Sequence, residues 1–298
     1  MPELQVDPAL RSILEGTSAE FGQDFFKALV KNLCQALGTY GAWVTEFLED
    51  CNHLRAHAFY LDGKFVEDFE YDIGGTPCEA VVSEKRFIHI PEKVVKLYPK
   101  DTDLAASGAV SYMGVALLDT DETVLGHLSV MDKSPMPEDP HKTAIFNIFS
   151  ARAAAELRRM KAESELRARE RKLSGLVDSA MDAIIELDND LNITLVNSAA
   201  ESIFGCDSER VIGRSFSYCL SEESFQKLSK ITSGLGNGSG DRKYLWIPGG
   251  LHGRSGNGDK FMAEATLSCY ELNRKRYYLL ILRNINERIE AEKKIDEL

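Results

Sequence analysis

The sequence predicts an α+β protein of two antiparallel-sheet domains, joined by a long helix and followed by a C-terminal exit helix. Three observations carry this expectation. Strand-like runs cluster around an Asp62-Gly63 turn, and a strongly charged helical stretch occupies 156–173. Beyond it, two strand-like runs precede a group of short helices and three more follow them. At 298 residues, two domains with separate cores are the natural expectation. The hydrophobic fraction of 44% is ordinary for a globular chain, and no apolar run approaches the ~20 residues of a membrane span.

The opening Met1-Pro2-Glu3-Leu4 lacks the basic start and apolar core of a signal peptide. A net charge of −12 argues against broad contact with nucleic acid or an anionic membrane. The six cysteines (34, 51, 78, 206, 219, 269) show neither a Cys-x-x-Cys pair nor zinc spacing. A cytoplasmic protein with reduced thiols is the expectation.

Within 1–19, Asp7-Pro8 offers a cap and first-turn proline for a helix carrying Leu10, Ile13 and Leu14. The apolar spacing of Phe25, Phe26, Leu29, Val30, Leu33 and Leu37 predicts an amphipathic helix over 21–37, stopped by Gly38. Strands are expected over 42–48, 54–61 and 64–69, the last two joined at Asp62-Gly63. Thr76-Pro77-Cys78-Glu79 predicts a short helix, with Thr76 as cap, Pro77 in the first turn and Glu79 closing a capping box. Further strands are expected over 86–90, 112–118 and 124–131. A helix from about Pro140 would then pack on this first domain, assigned to 20–155.

The stretch 156–173 has seven basic and four acidic side chains, with Leu166 and Leu173 a heptad apart. A solvated helix is the plain reading. A two-stranded coiled coil is the sharper and preferred one, because a narrow apolar seam between charged faces suits a dimer. The second domain, 174–285, is expected to run as strands 184–187 and 193–196, helices over 197–204, 207–211 and 221–231, then strands 243–247, 261–270 and 276–283. An exit helix should occupy 286–298, with Ala291, Ile295 and Leu298 at seam spacing.

Several blocks resemble known sensory domains. Tyr71-Asp72-x-x-Gly75-Thr76-Pro77-Cys78-Glu79, Ser111-Tyr112-Met113-Gly114-Val115 and Gly126-His127-Leu128-Ser129 resemble a bacterial GAF domain. Leu195-Val196-Asn197-Ser198-Ala199-Ala200-Glu201, Val211-Ile212-Gly213-Arg214 and Gly256-Asn257-Gly258-Asp259 resemble a PAS domain. Many PAS domains end in Asp-Ile-Thr. Asn284-Ile285-Asn286 stands at the matching place and lacks the carboxylate that often anchors the exit helix. The exit segment is similar to the link before the ATPase domain of enhancer-dependent transcription activators, while histidine kinases and cyclic-dinucleotide enzymes carry the same modular sensors.

The resemblance implies a non-catalytic sensory module. A small-molecule or redox signal would pass through dimeric linker and exit helices to an effector outside this sequence. Ligand candidates in the first domain are Thr76, Cys78, Glu79, His89, Tyr112 and His127. Cys78 stands out because a thiol at a helix N-terminus can be acidified, although a small buried apolar residue is the plainer reading. In the second domain the candidates are Asn197, Tyr218, Trp246 and Tyr278, with local backbone bonding or core packing as the plainer roles. Leu166, Leu173, Arg283, Asn284 and Asn286 are the candidates for transmission.

No metal site is expected, since Asp72, Cys78, Glu79, His89 and His127 lack ligand spacing. No cofactor is identified. Phe216 stands in the region where a photoadduct cysteine would lie, and the 222–231 helix has no histidine for haem. The rival readings are a thiol-dependent GAF-fold reductase pairing Cys78 with Cys51 or Cys34, and a ligand-free dimerising spacer.

Overall fold

A computed structural model describes residues 21–47, 53–235, 244–286, 288–289 and 295. The chain forms two compact units that divide between Leu166 and Arg167. The helix expected within 1–19, Cys51, and most of the exit helix expected over 286–298 lie outside the described residues.

In the first unit, α1 (Gln23–Leu37) buries its apolar stripe and ends where Gly38 turns left-handed. The strands are β1 (Gly41–Phe47), β2 (His53–Leu61), β3 (Lys64–Val66), β4 (Glu70–Asp72), β5 (Ile88–Ile90), β6 (Ser111–Leu118) and β7 (Val124–Asp132). They form one sheet in the order β3-β2-β1-β7-β6-β5, with β4 also paired to β2. All its pairings are antiparallel. The strand expected over 64–69 stops at Val66, and after Asp68, which adopts positive φ, a separate short strand follows at Glu70–Asp72.

Strand alternation sends neighbouring residues to opposite faces. Ala42, Val44, Leu128 and Val130 pack with α1 on one face. Trp43, Tyr112 and Met131 belong to a separate core on the other. That second core also receives α2 (Pro77–Glu84), α3 (Val94–Leu97) and α4 (Thr102–Ser107) through Cys78, Val94 and Leu104.

Helix α5 (Pro140–Asp178) is continuous through the division between the units, so the packing helix and the charged linker are one element. Ile145, Phe146, Phe149, Ala153, Ala154 and Leu157 join the α1 core. Polar contacts hold its next turns to the first unit. Glu156 accepts from the Gly22 N–H at 2.7 Å, Arg158 donates to the Leu118 carbonyl at 2.9 Å, and Lys161 reaches Asp119 at 3.0 Å. Further along, Leu166, Leu173 and Leu176 are exposed.

The second unit begins with β8 (Ala183–Leu187) and β9 (Ile193–Val196). It continues through α6 (Ser198–Phe204), α7 (Ser208–Val211), a 3-10 turn (Phe216–Cys219) and α8 (Glu222–Leu235), and closes with β10 (Tyr244–Trp246), β11 (Leu251–Arg254), β12 (Lys260–Leu272) and β13 (Lys275–Asn284). The sheet order is β10-β12-β13-β8-β9, with β11 also on β12. The strand β11 was not expected from sequence. Its alternation of buried Leu251 and Gly253 with exposed His252 and Arg254 is short and contains a glycine. Ala183, Ile185, Leu187, Ala263, Ala265, Leu280 and Leu282 face the interior, where Phe204 meets Phe216 and Phe261 with ring centroids 5.8 and 5.4 Å apart. Among the described residues, no helix is long and apolar enough to cross a membrane.

Candidate functional site

The second core of the first unit surrounds a cavity of about 650 Å3. Trp43, Phe59, Phe69 and Tyr71 supply aromatic surface to it, and Thr76, Pro77 and Cys78 close one end. The sequence builds that end locally. Asp72 accepts from the Gly74 N–H at 2.7 Å, Gly75 takes a φ of 76°, and Thr76 caps α2 by accepting from the Glu79 N–H. Pro77 at the first helical position has no N–H to leave unpaired.

Behind the aromatic wall lies a buried polar chain. The Trp43 Nε1–H donates to the Tyr71 hydroxyl at 3.2 Å, and that hydroxyl donates to Cys78 Sγ at 3.4 Å. Cys78 Sγ lies 3.5 Å from the Tyr112 hydroxyl, which lies 2.7 Å from Ser129 Oγ. On the other side, His127 Nε2 is 3.3 Å from the Tyr71 hydroxyl and Nδ1 is 2.6 Å from Thr45 Oγ1. One proton arrangement uses every donor from Thr45 to Tyr112: Thr45 donates to Nδ1, Nε2–H to Tyr71, Tyr71 to Cys78, Cys78 to Tyr112, and Tyr112 to Ser129. A buried donor left unpaired costs about 1–3 kcal/mol, and this arrangement with an Nε2–H tautomer leaves none of them unpaired. Gly114 makes room for it, since a β-carbon there would lie 2.3 Å from the Tyr112 hydroxyl.

The same burial fixes the charge state. Desolvation holds the His127 pKa down to about 3, leaving the ring neutral. Burial pushes the Cys78 thiol up to about 11. It also raises Tyr71 and Tyr112 well above the ordinary tyrosine range. Cys78 does occupy the second position of a capped helix, but lost hydration outweighs the helix dipole, and the thiol is buried rather than acidified, as in the plainer reading.

The mouth is ionic. Asp72, Asp101 and Asp103 meet Lys100 and Lys133 there. Asp101 caps α4 by accepting from the Leu104 N–H at 2.8 Å. The Lys133 ammonium sits 3.8 Å above the Tyr40 ring centre.

Comparison with known families agrees with this architecture. Residues 22–157 match the GAF domain model, and residues 171–285 match the PAS fold model. The chain carries a GAF domain followed by a PAS domain. These are sensory domains of the kind found in signalling proteins.

Among similar solved structures is the GAF domain of a phosphoenolpyruvate-protein phosphotransferase from Coxiella burnetii. It is 17% identical, with coverage of 53% of this chain and 94% of that one and a TM-score of 0.47. The PAS domain of an HTR-like protein from Haloarcula marismortui is 23% identical, covering 42% and 99%, with a TM-score of 0.37. The E. coli DhaR(N)-DhaL complex is 14% identical, covering 86% and 87%, with a TM-score of 0.43. No curated protein matches the chain.

In the GAF unit, Thr76, Cys78, Tyr112 and His127 therefore come together, at the cavity or directly behind it. Two other candidates do not. Glu79 is exposed and turns back to accept from the Gly75 N–H, one residue short of the reciprocal capping-box partner. His89 lies between Ile88 and Ile90, which belong to the cavity-side core. Alternation sends His89 to the other face, where Nε2 lies 2.9 Å from the Met136 carbonyl. Cys34 is also on that opposite face, in the α1 core, so the sheet separates it from Cys78. Among the described residues, no group of three or more His, Cys, Asp or Glu side chains is placed to hold a metal ion.

The PAS candidates do not form a common pocket. Asn197 spends its polar atoms on backbone. Oδ1 accepts from Ala200 and Ile184, while Nδ2 donates to the Val177 and Asp182 carbonyls. Tyr218 and Trp246 are 75% and 54% exposed, outside the packed interior. Tyr278 is buried and donates to the Thr232 carbonyl at 3.2 Å.

At the exit joint, Asn286 Oδ1 accepts from Met262 and Asn284 Oδ1 accepts from Asn286. Next to this joint Arg283 pairs with Asp182, just before β8. Arg283 donates to that carboxylate from Nε at 2.8 Å and from Nη2 at 2.7 Å. Sequence reasoning passed over Trp43, Thr45, Tyr71, Ser129 and Asp101. Tyr71 lay inside the motif, and Asp101 before Thr102-Asp103 has the form of a cap. Trp43 and Thr45 become neighbours of Ser129 and His127 only through the β1–β7 register.

Proposed function

We propose that this chain is a non-catalytic sensory module whose signal is a small molecule entering the GAF cavity. The observation that carries the reading is that open volume, about 650 Å3, set against polar groups already paired with one another. A pre-formed cavity with aromatic surface and a few polar groups at its mouth is the usual form of a small-molecule site. Ligand-dependent packing there would bias α5, which leaves the GAF unit and continues into the PAS unit. In a homodimer, exposed Leu166 and Leu173 would form the seam through which the bias reaches an effector outside this sequence. Arg283, Asn284 and Asn286 would pass the change beyond the PAS unit.

A thiol reductase needs an accessible thiolate and a resolving partner. A Cys78 thiol pushed up to about 11 argues against that role, and of the two partners considered Cys34 lies across the sheet while Cys51 is outside the described residues. Native mass spectrometry of the purified chain, repeated after denaturation and joined to an absorption spectrum, tests the sensory reading. A dimer that carries or accepts a small ligand is expected. A strict monomer at high concentration would remove the transmission route, and a dimer that takes up no small molecule would leave a spacer.

A further inference from the structure

The GAF cavity has two chemically different ends, and the difference specifies a ligand class. At the inner end, Trp43, Tyr71, Cys78, Tyr112 and His127 satisfy one another. No member of that chain is charged near neutral pH, and none offers a donor without disturbing a partner. The wall beside them is continuous aromatic surface, with Trp43–Phe59, Phe59–Phe69 and Phe69–Tyr71 ring centroids 5.3, 5.0 and 5.2 Å apart. A ligand must therefore present an apolar, flat body inward, because a polar group there would lose water and gain no partner.

The mouth offers charge of both signs, with three carboxylates against two ammonium groups. Lys133 is already engaged with the face of Tyr40, which shows that the rim's aromatic surface accepts an ammonium ion. Asp101 sits partly buried beside Asp103, an arrangement that disfavours further negative charge. The chain as a whole carries −12, so its long-range field attracts cations and repels anions.

Building on the sensory reading of the same cavity, we propose that the GAF unit binds an amphipathic organic cation. Its aryl body would lie against Trp43, Phe59, Phe69 and Tyr71, and its single ammonium group would lie at Asp101 and Asp103. Lys100 faces the same mouth and selects against ligands whose charge sits on its side.

Phenethylamine and phenylacetate, which share a body and differ in the sign of charge, test the assignment. Titrating each into the full chain with Trp246→Phe, so that Trp43 is the remaining indole, reads binding at the cavity. Phenethylamine is expected to bind at least fivefold more tightly and to weaken with added salt. Asp101→Asn/Asp103→Asn is expected to reduce its affinity by about fivefold, the scale of partly exposed ion pairs. Asparagine retains the α4 cap, and circular dichroism checks the fold. If that variant fails to fold, the salt dependence of the parent protein decides the point.

Equal or tighter binding of phenylacetate would overturn the charge assignment and leave the sensory reading intact. Failure of both probes at millimolar concentration would overturn the proposal, while ligand uptake in the mass-spectrometric test would still support the sensory reading.

Discussion

The GAF and PAS units use the same material, an antiparallel sheet with helices against it, and end with opposite interiors. In the GAF unit, aromatic side chains surround open volume and a hydrogen-bonded chain runs behind them. In the PAS unit, Phe204, Phe216 and Phe261 meet in the middle of the core. Two hollows described there, of about 760 and about 470 Å3, are lined largely by polar residues such as Asp188, Asn189, Asp190 and Arg276. Strand alternation alone does not decide between these outcomes. The difference comes from which large side chains cross the midplane and whether polar groups occupy the inner face.

The largest expected effect separates the filled core from the hollow one. Phe216→Ala removes a fully buried ring and should cost about 3–5 kcal/mol. Phe69→Ala, whose ring already borders open volume, should cost about 1–2 kcal/mol and enlarge the cavity. Urea unfolding of the two variants checks this, and equal losses would break the comparison.

A pH test sharpens it further. His127 is neutral when folded because its pKa is held to about 3, whereas the unfolded imidazole titrates near its ordinary value. Between those values the unfolded chain binds the additional proton, so stability is constant above about pH 6.5 and falls as the solution is acidified. The loss from this one group should reach about 2 kcal/mol by pH 5. His127→Gln should be less stable at neutral pH but lose that part of the acid dependence, as compared by denaturant unfolding at pH 7 and pH 5. An unchanged slope would mean that the ring is not buried neutral.

The smallest effect is expected at the PAS exit joint. Arg283→Gln breaks an exposed ion pair with Asp182 and should leave the thermal midpoint close to that of the parent protein, because exposed pairs contribute little. A large drop would show that the joint contributes to the PAS core.

Much of this was legible in the amino-acid order. The α1 stripe, the Asp62-Gly63 turn, the Thr76-Pro77 helix start and the Asn197 cap are local, and local rules located them. The motif residues Cys78, Tyr112 and His127 did converge. The misplacement of His89 and Glu79 is also instructive. His89 is one residue from the cavity-side positions Ile88 and Ile90, and period two reverses the face of every neighbour. Glu79 follows the helix turn outward to Gly75.

By itself the sequence determined the two-domain division and most of the main helices and strands, because periodicity, caps and turns act over a few residues, while the GAF and PAS character was legible as a resemblance carried by its motif blocks. Only the tertiary structure decided that His127 faces Tyr71 and Thr45, that Cys34 and Cys78 lie on opposite sides of a sheet, and that Asp182 pairs with Arg283. Those relations span tens to about a hundred positions. Long-range packing and strand register set them, and burial then keeps His127 neutral and the Cys78 thiol protonated.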